Sequence, residues 1–178
     1  FFHKSMYRLY TGTTKKYSTC KIIVQKYNES RKGDVFMHYT GTIWRPPYEA
    51  ASLLVEVTAG CTHHKCKFCT LYNDLPFKFR MSPLEDIESD LREVKRATKG
   101  WNSGRIDRVF LTGANPFVLS YDKLTAIAEL IHEHLPSVKS FGSFARITDV
   151  TPKTNEELTK LWTMGFDGLT IGIETGWG

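Results

Sequence analysis

Beyond residue 36 the chain alternates short apolar runs with longer stretches of helical period. Leu53-Leu54-Val55-Glu56-Val57 is the first apolar run, of strand length. Ser82, Pro83 and Glu85 then spell a helix start: a capping hydroxyl, a proline at the first helical position and a carboxylate three residues after the cap. The apolar face of that helix is Leu84, Ile87, Leu91 and Val94, spaced by three or four. Val109-Phe110-Leu111 predicts a second strand, ending at Gly113, and Ser120 caps a second helix whose face is Leu124, Ile127, Ala128, Ile131 and Leu135. Val138 to Ala145 reads as the third strand. Thr154 and Glu157 form a capping box for a third helix, with Leu158, Leu161 and Trp162 as its buried stripe and Gly165 as its stop. Leu169-Thr170-Ile171-Gly172-Ile173 is the fourth strand.

Near-continuous apolar strands alternating with amphipathic helices predict an α/β fold with a parallel sheet and helices packed outside it. The later strands begin near residues 106, 138 and 167, close to the roughly 30 residues per unit of a (βα)8 barrel. The chain stops at Gly178, just past the fourth strand. A sheet ending on a new strand leaves an unpaired edge, so the expectation is a piece of a larger barrel.

Residues 1–36 show neither a two-residue nor a 3.6-residue apolar period, and Met37 opens a different texture, with a turn at Pro46-Pro47. The expectation is a basic tail over 1–36 lying upstream of a natural start at Met37, with an ordinary N-terminal extension as the alternative. Residues 37–178 then form the folded body.

Charge follows the same division. The tail carries Lys4, Arg8, Lys15, Lys16, Lys21, Lys26, Arg31 and Lys32 against Glu29 and Asp34, a balance of +6, while the whole chain stands at +5. The body is therefore near neutral at −1, which argues against a nucleic-acid surface on it. A hydrophobic content of 41% fits a folded protein. No apolar run approaches the roughly 18 residues that span a bilayer, and the N-terminus lacks a secretory pattern, leaving the cytoplasm as the expected compartment.

Of four cysteines, Cys61, Cys66 and Cys69 fall within nine residues, and Cys20 stands apart without an assigned role. Tight clusters in proteins without a secretory signal point to metal rather than disulfides. The run Cys61-Thr62-His63-His64-Lys65-Cys66-Lys67-Phe68-Cys69 follows the first strand, at the end where barrels place their active sites. Three thiolates can hold three irons of a cubane cluster and leave the fourth open to a small molecule. Zinc is the rival reading, with His63 or His64 as fourth ligand. Glu56, inside an apolar strand, reads as half of a satisfied polar network, and His132 and His134 as solvent-facing; His38 has no visible partner.

The loop resembles that of the radical S-adenosylmethionine (SAM) superfamily, which is C-x3-C-x-aromatic-C after the first strand of a partial barrel. Phe68 supplies the aromatic before the last cysteine, and the C-x4-C-x2-C spacing here departs by one residue. The resemblance extends along residues 38–178 and implies the first four βα units of a partial (βα)6 TIM-like barrel, truncated after strand 4. It implies a [4Fe–4S] cluster on Cys61, Cys66 and Cys69. Gly113-Ala114-Asn115-Pro116 stands where the superfamily carries a Gly-Gly-Glu-Pro-like segment meeting the amino group of SAM, with Ala114 and Asn115 as departures. Glu174 and Ser143 would contact SAM, Arg146 would pair with its carboxylate, and Phe68 would lie near its adenine. An ion pair between Glu174 and Arg146 is the structural alternative.

The chemistry so implied is reductive cleavage of SAM to methionine and a 5′-deoxyadenosyl radical that abstracts hydrogen from an unidentified substrate. A small-molecule substrate and an electron donor such as flavodoxin or ferredoxin are the implied partners. Thr40-Gly41-Thr42-Ile43-Trp44-Arg45-Pro46-Pro47, taken with the loop spacing, is similar to stand-alone bacterial radical SAM proteins often labelled coproporphyrinogen III oxidase-like. Three other readings stay open: a structural zinc-binding module, a radical SAM enzyme acting on RNA, and a truncated cluster-binding fragment without activity.

Overall fold

The computed structural model of the chain describes residues 37–40, 43–98 and 106–172. Residues 1–36 with Cys20, Gly41-Thr42 and Glu174 lie outside them, as does Ile173 of the predicted fourth strand. The first apolar run forms β1 (Leu53–Glu56). Two further short strands follow, β2 (Thr58–Gly60) and β3 (Phe79–Met81), paired antiparallel as a ribbon. They precede α1 (Leu84–Thr98), β4 (Arg108–Thr112), α2 (Tyr121–His134), β5 (Ser140–Ala145), the four-residue α3 (Ile147–Val150), α4 (Asn155–Thr163) and β6 (Phe166–Ile171). Short 3-10 turns occupy Pro47–Glu49 and Pro116–Val118, each with its proline in the first turn.

Strands β1, β4, β5 and β6 make one parallel sheet in that order. Each new strand adds beside the last, without the reversal that marks a doubly wound sheet. Alternation along each strand sorts the side chains onto two faces. Val55, Val109, Leu111, Phe141 and Ala145 join one apolar cluster with Ile87 and Leu91 of α1, Ile127 and Ile131 of α2 and Leu161 of α4. This is the burial expected from the helical spacing, and Leu124, Ala128 and Leu135 are buried with it.

Two positions depart from the predicted stripes. Trp162 is 64% exposed, and Leu84, in the first turn of α1, is 39% exposed. On α4, Leu161 is fully buried and Leu158 partly buried. A nine-residue helix covers only a narrow strip of sheet, so the residue following Leu161 turns outward. The start of α1 also shifts by one: its first helical bond runs from Ile87 N–H to the carbonyl of Pro83, rather than from a cap at Ser82. The capping box at Thr154 and Glu157 forms in both directions, at 2.7 and 3.2 Å. His132 and His134 are half-buried rather than solvent-facing, because His132 lies edge-on to Phe141 and His134 Nε2 is 3.5 Å from Glu88.

The opposite sheet face carries Arg108 and Phe110 at the start of β4. The Arg108 guanidinium bonds Glu49 at 2.7 and 2.8 Å, Ser140 at 2.8 Å and Asp167 at 2.6 Å. Gly142 and Gly168 leave it room: a Cβ at either would lie 3.1 or 2.8 Å from its Nη2. Register slips by one between Phe141 and Gly142, making Asp167 the extra residue on β6 and turning its carboxylate to Arg108. Glu49 is 3% exposed, so truncating Arg108 would strand a buried carboxylate. Arg108→Ala is expected to lower stability by about 2–4 kcal/mol, read as a lower urea midpoint with an unchanged slope.

Candidate active site at the C-terminal ends of the strands

Strand β2 stands between β1 and the cysteines, so the cysteine run does not follow the first strand directly. Residues 61–78 form a loop closed at its base by Cys61 N–H to the Lys78 carbonyl, 2.9 Å. Thr58-Ala59-Gly60 is too short and too weakly alternating to announce a strand. Gly60 explains the closure: at φ +78° its backbone approaches Lys78 so nearly that a Cβ would lie 2.3 Å from that carbonyl oxygen.

Cys61, Cys66 and Cys69 are free and half-buried on this loop, and Cys69 N–H bonds the Cys66 carbonyl at 3.1 Å. Arg146 and Tyr72 are close enough to feel them. Hydrogen bonds to Asp149 hold the Arg146 guanidinium above its ordinary pKa against the effect of burial, and the Cys61 and Cys66 thiols add to it. The Tyr72 phenol is raised chiefly by burial, then by Cys61 and Cys69. His63 and His64 are exposed. Among the described residues, no set of three or more His, Cys, Asp or Glu is gathered closely enough to hold one metal ion. The donor set itself, three free thiols on one loop, suits an iron–sulfur cluster.

The Gly113–Pro116 segment closes the end of β4. Gly113 has φ +138°, and a Cβ there would lie 2.0 Å from Thr58 Oγ1, so only glycine fits. Ala114 is half-buried, and Pro116 is buried as the first residue of its 3-10 turn. Asn115 is 1% exposed. Its side-chain amide donates to Thr62 Oγ1 at 2.9 Å and to Asp149 Oδ2 at 3.0 Å. The cysteine loop, the end of β4 and the segment after β5 are thereby tied to one side chain.

Arg146 belongs to the same network, paired with the carboxylate of Asp149. Nη2 donates to Asp149 Oδ1 at 2.6 Å, and the Arg146 N–H donates to Oδ2 at 2.8 Å. Asp149, Thr62 and Thr58 were not singled out from sequence. The Arg-x-x-Asp spacing after a strand was the available signal for Asp149, since it matches a helix-capping pair.

Two further expected contacts are not brought to the mouth. Ser143 shares its sheet face with Leu111, its register partner in the core. It is fully buried, with its hydroxyl donating to the Phe144 carbonyl at 3.0 Å. A period of two decides this: Phe144, not Ser143, faces Phe110 across the other side, ring centroids 5.0 Å apart. Phe68 is 69% exposed on the outer part of the loop, not packed into the mouth. Glu56, 4% exposed, does sit in a polar network, accepting from Thr40 N–H at 2.9 Å and Thr40 Oγ1 at 2.6 Å. Burial nevertheless raises its pKa beyond what those bonds lower it.

This constellation of thiols, glycine turn and strand-end network stands where parallel α/β proteins place their chemistry. The chain matches the Radical SAM superfamily over residues 55–177 and belongs to it. No curated protein and no solved structure matches the chain.

Burial alone would raise the Asp149 carboxyl, but hydrogen bonds from Arg146 and Asn115 outweigh it and hold the pKa below its ordinary value of 3.8. A depressed carboxyl stabilises the fold above its unfolded-state pKa and loses that contribution as pH falls through the folded value. Asp149→Asn should therefore cost about 2–3 kcal/mol at pH 7. Its deficit against the parent should narrow as pH drops below about 4 in urea titrations.

Proposed function

We propose that this chain is a SAM-dependent radical enzyme whose Cys61, Cys66 and Cys69 hold a [4Fe–4S] cluster. The observation that carries the proposal is the cysteine loop's position: three free thiols near the C-terminal end of β1, tied through Thr62 and Asn115 to the glycine turn after β4. Bound together, cluster and SAM supply one-electron reductive cleavage of the sulfonium S–C5′ bond, and thereby hydrogen abstraction from a small-molecule substrate.

The chain's own residues would bind and shield. Gly113 lets the end of β4 pack closely on Thr58, and Asn115 holds that backbone against the loop. Arg146, a third exposed and already paired with Asp149, would offer its guanidinium to the SAM carboxylate. Glu174, six residues after Gly168, would contact SAM from the end of the fourth sheet strand. An electron donor such as flavodoxin or ferredoxin would deliver the electron. The unreversed strand order supports reading the four strands as the first part of a (βα)6 barrel.

The test is anaerobic reconstitution of the chain with iron and sulfide, then dithionite and SAM, with mass spectrometry for 5′-deoxyadenosine and methionine. Both products are expected in equal amounts, and alanine at any one of Cys61, Cys66 or Cys69 should abolish them. Cleavage retained in those variants would overturn the assignment. So would a colourless protein holding one zinc per chain, which would favour the structural-metal reading.

A further inference from the structure

The two residues that assemble the strand-end mouth belong to different segments. Asn115 leads into the 3-10 turn Pro116–Val118 after β4, and Asp149 lies in the four-residue α3 after β5. The last carbonyls of a helical turn have no partner inside it. One side chain meets a carbonyl of each segment. Lys153 Nζ donates to the Phe117 carbonyl at 2.7 Å and to the Asp149 carbonyl at 3.0 Å. It also lies 4.6 Å from the centroid of the Phe117 ring.

A lysine stem readily covers an apolar ring while its ammonium reaches out to water. Lys153 is half-buried instead. Burial holds its pKa below the ordinary 10.5, and the carboxylates of Asp149 and Glu157 offset this only in part. Such a placement is unfavourable for a cation, and the groups that offset it are specific: two carbonyl oxygens and a ring face. Both ends of the link are anchored. Lys153 N–H bonds the Val150 carbonyl at 3.0 Å. Phe117, 2% exposed, lies in the core with its ring 6.3 Å from that of Phe166. The ammonium thus clamps α3 to a turn rooted in the core.

We propose that Lys153 is a positioning residue for the cysteine loop. It keeps the turn after β4 and α3 at the separation that lets the Asn115 amide donate to Asp149 and to Thr62 of the loop together. With the clamp removed, Asn115 loses its fixed distance from Asp149, and the tether at Thr62 loosens with it. The Arg146 guanidinium, held by Asp149, shifts with α3. The bearing of Lys153 on catalysis rests on the reading of the loop as the cluster site, whereas the coupling itself is a property of the metal-free chain.

Amide hydrogen exchange, followed by NMR on the full metal-free chain, tests this coupling. Lys153→Met keeps a stem over Phe117 and removes the donors. The Cys61 and Cys69 amides, bonded to the Lys78 and Cys66 carbonyls, should then exchange about tenfold faster than in the parent. Rates are taken relative to the buried amides of α2, so that a change in global stability cancels. Lys153→Arg restores a cation with donors and should return the loop rates to within about threefold of the parent. Thr62→Val supplies the decisive comparison, because it cuts the link from Asn115 to the loop. Adding Lys153→Met to that variant should change the loop rates by less than about twofold. Loop rates unmoved by Lys153→Met, not restored by Lys153→Arg, or raised as much in the Thr62→Val background would overturn the proposal. Exchange is read without iron or SAM, so this result is separate from the outcome of the SAM-cleavage assay.

Discussion

A loop of eighteen residues has no reason of its own to sit still over the end of a sheet, because water can satisfy its backbone in many conformations. Here the Asn115 side chain restrains it. Buried to 1% exposure, its amide needs partners, and it finds one in the loop at Thr62 and another in Asp149 beyond β5. Asp149 in turn holds Arg146, so one amide and one carboxylate fix the relative positions of the thiol loop, the glycine turn and the guanidinium. In the superfamily's usual segment a glutamate stands where Asn115 does. A carboxylate could not donate to Thr62 and Asp149 as the amide does, so here the position serves assembly of the mouth.

The two ends of the sheet have opposite characters. At the N-terminal ends of the strands Arg108 covers the sheet face opposite the apolar cluster with a paired ionic network across β4, β5 and β6. At the C-terminal ends polar groups remain unpaired: the hydroxyls of Thr58 and Thr112 and the Oδ1 of Asn115 are all buried without a partner among the described residues. Burying polar atoms without partners is unfavourable, and such groups collect where a ligand completes them. The stable end anchors the sheet, and the unsatisfied end is available for chemistry.

Much of this was legible in the sequence where periodicity governs. The faces of α1 and α2, the capping box at Thr154 and the four parallel strands follow from spacing, because a helix or a buried strand must present its apolar residues to one core. Short or tertiary features were less readable. The ribbon of β2 and β3 rests on a pairing across the whole cysteine loop, which no local pattern encodes. Ser143 has the chemistry of a ligand contact, but alternation from Phe141 puts it on the core face. Arg146 is legible as a cation at a strand end, whereas its pairing with Asp149, three residues on, emerges only in the structure. The cysteines were the clearest signal, since three thiols on one loop have few other uses.

The most direct measurement is the EPR spectrum of the reduced, iron-loaded chain, recorded with and without SAM. A [4Fe–4S]+ signal that changes shape when SAM is added is the result expected, because SAM would bind the iron that the three cysteines leave open. An iron-loaded chain whose signal is identical with and without SAM, or a chain that binds zinc and never acquires a cluster, would contradict the assignment of this strand-end mouth as a radical SAM site.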